Sequence, residues 1–201
     1  MNRRPVFGDS ITGMEDNARR ARDGWIAYRC QCGEPGAFET LVAEMERPLF
    51  YYILKLLGNE DAALDVLQDV WVKVFRGIGA LRVPEALRAW LYRVARGTAL
   101  NRVRGDAARL EAEEPLEDTG DGVLDPALGN VGFGPDEVIE VDRALGRLTR
   151  RHREVLVLLF LEGLTVDEIA GVVGAPAGTV KSRIYHAKRA LRRRLEGYGH
   201  E

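Results

Sequence analysis

Residues 165–195 read TVDEIAGVVGAPAGTVKSRIYHAKRALRRRL. Thr165 with Glu168 three positions on fits a capping box, in which each side chain satisfies a backbone N–H left open at a helix start. Ile169, Ala170 and Val173 then form a short apolar stripe. Gly174 stands just past it, where a left-handed residue commonly ends a helix. Pro176 suits the turn or the first position of a new helix, where its missing N–H costs nothing. In that second helix Val180, Ile184, Ala187 and Leu191 recur at spacings of four, three and four. At about 100° per residue they share one face, which should pack on the first helix. Ser182, Tyr185, His186 and Arg189 fall on the opposite face, with Lys181 at its flank. Arg183 and Lys188 lie nearer the buried edge, where phosphate contact is more natural than base reading. A basic face alone is usually just solvated. The cap, the tight turn and the basic second helix together describe a helix-turn-helix, whose second helix enters the major groove of DNA.

The rest of the chain sets bounds on that reading. Its 201 residues allow one large domain or two small ones, and 46% hydrophobic content supports ordinary cores. No run approaches the roughly 20 apolar residues that span a bilayer. Arg3 and Arg4 are followed by no apolar segment, so neither a signal peptide nor membrane insertion is expected, and the cytoplasm is the expected location. Cys30 and Cys32 are the only cysteines and cannot supply four zinc ligands, so two reduced thiols are expected. His152, His186 and His200 are scattered. No nucleophile–base pair, phosphate loop or metal constellation stands out, so neither a cofactor nor an enzymatic role is expected.

The net charge of −2 is unpromising for a nucleic-acid binder until its distribution is read. From Arg143 to Leu195 there are twelve Lys and Arg against four acids, a balance of +8; from Arg104 to Asp136 there are two Arg against nine acids, a balance of −7. Local charge, rather than the total, sets the footprint on DNA.

Periodicity predicts helices throughout. Residues 1–22 read as a mobile polar extension. A short helix is expected over 23–32. A long one follows, carrying Phe38, Leu41, Val42, Met45, Leu49, Ile53, Leu54 and Leu57, with a bend expected at Pro48. Leu64, Leu67, Trp71, Val74 and Phe75 mark the next apolar face, ended by Gly77 and Gly79. Pro84 opens a third stretch that runs to about Val103, with Leu87, Trp90, Leu91, Val94 and Ala95 facing inward. Residues 105–136 read as an acidic linker, too long and polar for a connection inside one compact domain. Helices resume near Asp136, with Val138, Val141, Leu145 and Leu148 on one and Val155, Leu156, Leu158 and Leu159 on the next. The expected fold class is all-α: a first helical module over 23–104, a linker over 105–136, a helix-turn-helix module over 137–195 and a tail over 196–201.

Within RVPEALRAWLYRVARGTALNRVR (82–104), Trp90 and Tyr92 alternate with Arg88, Arg93, Arg96, Arg102 and Arg104. Aromatics beside arginines suit single-stranded nucleic acid, whose bases stack on rings while its backbone seeks positive charge. A core tryptophan beside a solvated arginine face would read the same way.

Three segments, in order, resemble the sigma-70 family of bacterial RNA polymerase sigma factors, in its extracytoplasmic-function (ECF) group. AALDVLQDVWVKVF (62–75) is similar to region 2.2. LRAWLYRVARGTALNRVR (87–104) is similar to regions 2.3 and 2.4. LTRRHREVLVLLFLEGLTVDEIAGVVGAPAGTVKSRIYHAKRALRRRL (148–195) is similar to region 4. The resemblance implies promoter-specific initiation with core RNA polymerase. Asp65, Gln68, Asp69, Trp71 and Lys73 would face the clamp helices of the largest subunit. The loop from Gly79 to Leu87 would take a base flipped from the promoter −10 element. Arg82, Arg88, Trp90, Tyr92, Arg93, Arg96 and Asn101 would melt and hold that element. Thr179, Lys181, Ser182, Arg183, Tyr185, His186 and Arg189 would read the −35 duplex. The polymerase flap region and an anti-sigma factor are the further partners it implies. Gly97 departs from a common Asn. His186 departs from a common Arg, which would weaken −35 binding or make it mildly pH-sensitive. The competing reading is a stand-alone helix-turn-helix regulator whose first module senses a ligand or dimerises; it gives no reason for 62–75 and 82–104 to occur together.

Overall fold

The computed structural model of the chain describes residues 9–110 and 142–196. All regular elements among them are helical: α1 Asp9–Gln31, α2 Ala37–Leu57, α3 Glu60–Gly77, α4 Leu87–Leu110, α5 over residues 142–146, α6 Arg150–Leu156, α7 Val166–Val173 and α8 Ala177–Glu196. Two single 3₁₀ turns, Ile78–Ala80 and Pro84–Ala86, join α3 to α4.

Local chemistry sets the boundaries. Gly58 adopts a left-handed conformation and returns its N–H to the Leu54 carbonyl, closing α2. Asn59 then caps α3 by accepting from the Ala62 N–H at 2.8 Å. α2 carries Pro48 inside it and still runs unbroken to Leu57.

Three expectations need correction. The helix expected over 23–32 begins at Asp9, so much of the extension over 1–22 is helical. The helix expected to end near Val103 continues to Leu110. On α3 the buried stripe is Ala63, Val66, Leu67, Val70 and Val74, whereas Leu64 and Phe75 are exposed. An eighteen-residue helix apolar on more than one side offers two candidate stripes, and packing against α2 and α4 chose between them. Most of the acidic linker and the expected apolar positions Val138 and Val141 lie outside the described residues.

The two modules share a continuous apolar core that runs from Ile26, Leu41, Leu49 and Leu91 in the first to Leu156, Leu158, Ile169 and Val180 in the second. Buried polar groups cross the same seam. Lys55 of α2 pairs with Asp142 at 2.7 Å, and the Tyr51 hydroxyl donates to the same carboxylate at 2.8 Å. Buried Arg153 donates to the carbonyls of Leu145, Gly146 and Leu148, fixing the α5–α6 turn, and to the Lys55 carbonyl across the seam. Charges taken from water this way are tolerated because nearly every donor and acceptor finds a partner.

Between α6 and α7 the chain makes one π-helical turn, Val157–Leu161, closed by Glu162 N–H on the Val157 carbonyl at 3.2 Å. It brings Glu162 and Gly163 against α1. Arg19 donates to the Glu162 carbonyl at 2.8 Å and to the Gly163 carbonyl at 2.6 Å. Gly163 has φ +60°, a left-handed conformation that favours glycine, and a Cβ there would displace the end of the Arg19 side chain. Arg20 reaches Glu168 in the first turn of α7 at 3.0 Å. Helix α1 therefore straps the second module to the first.

Candidate nucleic-acid interface

The helix-turn-helix forms as its sequence predicts. Thr165 Oγ1 accepts from Glu168 N–H at 3.3 Å, and Glu168 Oε2 accepts from Thr165 N–H at 2.8 Å, completing the capping box. Gly174 ends α7 at φ 65° and ψ 42°. Ile169, Val172 and Val173 of α7 face Val180, Ile184 and Ala187 of α8, all buried. Turned away from them, Thr179, Lys181, Ser182, Tyr185, His186 and Arg189 are exposed, and Arg183 sits half-buried at the edge. Tyr185 is 63% exposed and meets His186 edge-on, with ring centroids 5.3 Å apart. Lys188 is also exposed, its ammonium 4.9 Å from the centre of the Phe160 ring.

The arginine-rich helix α4 is arranged differently. Arg88, Tyr92 and Arg96, spaced four apart, form one face turned to the second module. Arg96 Nε donates to Glu154 at 2.7 Å, and Tyr52 donates to the same oxygen at 2.9 Å. Arg88 forks onto Asp23 of α1 at 3.1 and 3.2 Å and lies 3.8 Å from Glu162. Tyr92 is fully buried, edge-on to Tyr52 at 5.1 Å, so its ring offers no face to a base. Trp90 is half-buried over Gly77, where a Cβ would come within 3.2 Å of the indole. Arg93 is exposed, with its guanidinium beside Gly171 of α7. Of the seven residues expected at the −10 element, Arg82, Arg93 and Asn101 are exposed.

The sequence reading did not single out the acids that hold this face. Glu154 and Glu162 are both buried. Burial pushes the Glu162 carboxyl above its usual range, while Tyr92, Arg88 and Arg19 pull the other way. Burial also drives Tyr52 and Tyr92 far above the ordinary phenol value. Acids bounding an apolar run such as Glu154-Val-Leu-Val-Leu-Leu-Phe-Leu-Glu162 were the available signal, since buried carboxylates need cationic partners.

On α3, Asp65, Gln68 and Asp69 are exposed, as is Lys73, which donates to Thr98 Oγ1 at 3.0 Å. Trp71 is half-buried, edge-on to Phe38. The sequence reading missed that Leu64, Val72 and Phe75 share the solvent face with those acids; Phe75 is 67% exposed.

Among the described residues no group of His, Cys, Asp and Glu is placed to hold a metal ion, and no helix is long and apolar enough to cross a membrane. Cys30 and Cys32 are unbridged, and partial burial pushes the Cys30 thiol up, away from the reactive thiolate.

Known proteins match this arrangement along most of the chain. The family model described as Sigma-70 region 2 matches residues 41–109, and that for Sigma-70 region 4 matches residues 139–191. The RNA polymerase sigma-H factor of Pseudomonas aeruginosa is 30% identical over 87% of this chain and 94% of its own length. The ECF RNA polymerase sigma-E factor of Escherichia coli K12 is 28% identical over 87% of this chain and 94% of its own. Among solved structures, CnrH in complex with the cytosolic domain of CnrY is similar at 26% identity and a TM-score of 0.60, covering 87% of this chain and 97% of that one. The sigma factor RpoE of Bartonella quintana, solved with the anti-sigma factor NepR, shares the fold at 22% identity and a TM-score of 0.64, covering 80% of this chain and 98% of its own. The match spans both modules in order, which a stand-alone regulator would not explain, and the chain belongs to the sigma-70 family as an ECF RNA polymerase sigma factor that directs promoter-specific transcription.

Proposed function

We propose that the chain holds a promoter at two places while docked on core RNA polymerase. α8 lies in the major groove of the −35 duplex, with Thr179, Lys181, Ser182, Tyr185, His186 and Arg189 toward the bases and Arg183 on a phosphate. The Gly79–Leu87 loop takes a base from the −10 strand, and Arg82, Arg88, Arg93, Arg96 and Asn101 draw in its backbone. The α3 face of Leu64, Asp65, Gln68, Asp69, Val72 and Phe75, flanked by Trp71 and Lys73, docks on the clamp helices of the largest subunit. The second module meets the flap region. The protein acts by binding and works in the cytoplasm, where the polymerase is, with an anti-sigma factor as its restraint.

The observation that carries this reading is the exposed basic face of α8, packed on a first helix capped at both ends. The engagement of Arg96 by Glu154 and of Arg88 by Glu162 crosses between the modules and adds a requirement: the modules separate before Arg96 meets DNA, and Arg88 must also leave Asp23 of α1. Sigma-free core polymerase supplemented with the purified chain should yield transcripts from discrete promoters in a genomic template pool. Tight binding to core with no discrete start site on any template would defeat the proposal.

A further inference from the structure

Base stacking beside the −10 loop needs an exposed aromatic, and α4 does not provide one. Tyr92 is fully buried, and Trp90 is half-buried over Gly77. Exposed aromatic surface does occur close by, on α1. Trp25 is 59% and Tyr28 54% exposed, with ring centroids 5.9 Å apart and planes 23° from parallel. Between them in sequence, Ile26 and Ala27 are buried, so the pair lies on the helix's outer face by periodicity and is not left over from a frayed end.

That helix is fixed to the loop. Gln31 Nε2 donates to the Ile78 carbonyl at 3.0 Å and to the Leu81 carbonyl at 2.8 Å, pinning the entry to the loop. Gly24 lies against Glu85, where a Cβ would sit 3.3 Å from the Glu85 Cγ. Asp23 holds Arg88 at the loop's exit. Residues 24, 27 and 31 thus form the edge of α1 that faces the loop, and Tyr28 is the next residue around the helix from it, with Trp25 beyond. Val83, at the loop's tip, is itself 55% exposed.

The charges nearby suit an anionic chain. Arg22 and Arg29 share the outer face with the aromatic pair, three residues before and four after Trp25. Each is held at 2.6 Å by an acid, Glu44 and Glu34 respectively. Pairs at the surface contribute little, so a phosphate can compete for either guanidinium.

We infer that Trp25 and Tyr28 form a stacking platform for single-stranded promoter DNA, taking a base next to the one held by the Gly79–Leu87 loop. The inference rests on the proposed −10 role of that loop. Stacking on a ring is sequence-tolerant, so the platform adds affinity for the opened strand without narrowing the promoter sequence.

The test uses the holoenzyme, assembled with core polymerase, and a forked template whose −10 segment is a single non-template strand. Trp25→Ala and Tyr28→Ala should each weaken fork binding by roughly five- to a hundredfold, and Trp25→Phe should restore most of the loss. Affinity for core, and for a duplex carrying only the −35 element, should not change. Quenching of tryptophan fluorescence on adding the fork should largely vanish in Trp25→Phe, since Trp25 is the most exposed of the three tryptophans. Unchanged fork binding in both alanine variants overturns the inference, and so does a loss confined to core affinity, which would make the pair a protein contact. Arg82→Ala separates the two levels. If it weakens fork binding while the α1 variants do not, the platform alone falls. If none of the three does, the −10 role of the loop falls with it.

Discussion

Helices α4 and α8 are both rich in basic residues, and the structure treats the central basic face of each differently. On α8 the basic residues occupy the side away from the core, so Lys181 and Arg189 are exposed. On α4, Arg88 and Arg96 face acids brought from α1, α6 and the turn before α7. A helix's own residues fix which side its arginines occupy, and only the remainder of the fold decides whether that side is open. One basic face is therefore open in this arrangement while the other is engaged internally.

The strongest way to break the contrast is to remove the acid that holds the α4 face. Glu154→Ala strips both Arg96 and the buried Tyr52 hydroxyl of their acceptor. Loss of one partner from a buried pair costs about 3–5 kcal/mol, measurable as a lowered denaturation midpoint. A midpoint that stays put would mean the seam contributes little to the fold.

Next in size is the effect on DNA. Lys181→Ala and Arg183→Ala should each weaken binding to a −35 duplex and reduce the salt slope by about one for every phosphate no longer neutralised. Stability should hold within about 0.5 kcal/mol, as for other surface changes. An unaltered slope in both would remove α8 from the groove.

Arg19→Ala deletes the clasp on the Glu162 and Gly163 carbonyls. Hydrogen bonds from a charged donor contribute about 1.5–3 kcal/mol. Fluorescent labels on α4 and α8 should report a longer mean separation in the variant. An identical distance distribution would show that the seam closes without the strap.

The smallest effect concerns pH. Glu162 has a folded-state value raised above 4.5, chiefly by burial. A raised carboxyl binds its proton more tightly in the folded protein. Its contribution is thus most favourable below about 4.5 and is lost as pH rises through the raised value. Glu162→Gln should flatten the fall in stability across that window, and an unchanged slope would assign it to another group.

The two helices also show what the sequence could tell. The capping box, Gly174 and the apolar stripe of α8 depend on neighbours within one or two turns, and each stands where local chemistry predicts it. The α4 face depends on partners far along the chain: Arg96 on Glu154, 58 residues away, and Arg88 on Asp23, 65 away. Nothing local to 87–104 could reveal them. The part of helix α1 before residue 23 was hidden for a related reason, because none of residues 17–22 supplies a buried apolar side chain to show a period. On α3 the pattern was ambiguous, since the apolar residues that face solvent read like those that face the core.

The most direct test is to measure binding of one forked template and one −35 duplex to the chain alone and to the holoenzyme. The chain alone should bind the duplex through α8 but hold the single −10 strand only weakly, and assembly with core polymerase should raise affinity for the strand far more than for the duplex. Equal affinity for the −10 strand with and without core would contradict this, because the strand would then be held without releasing Arg88 and Arg96 from the packed arrangement seen here.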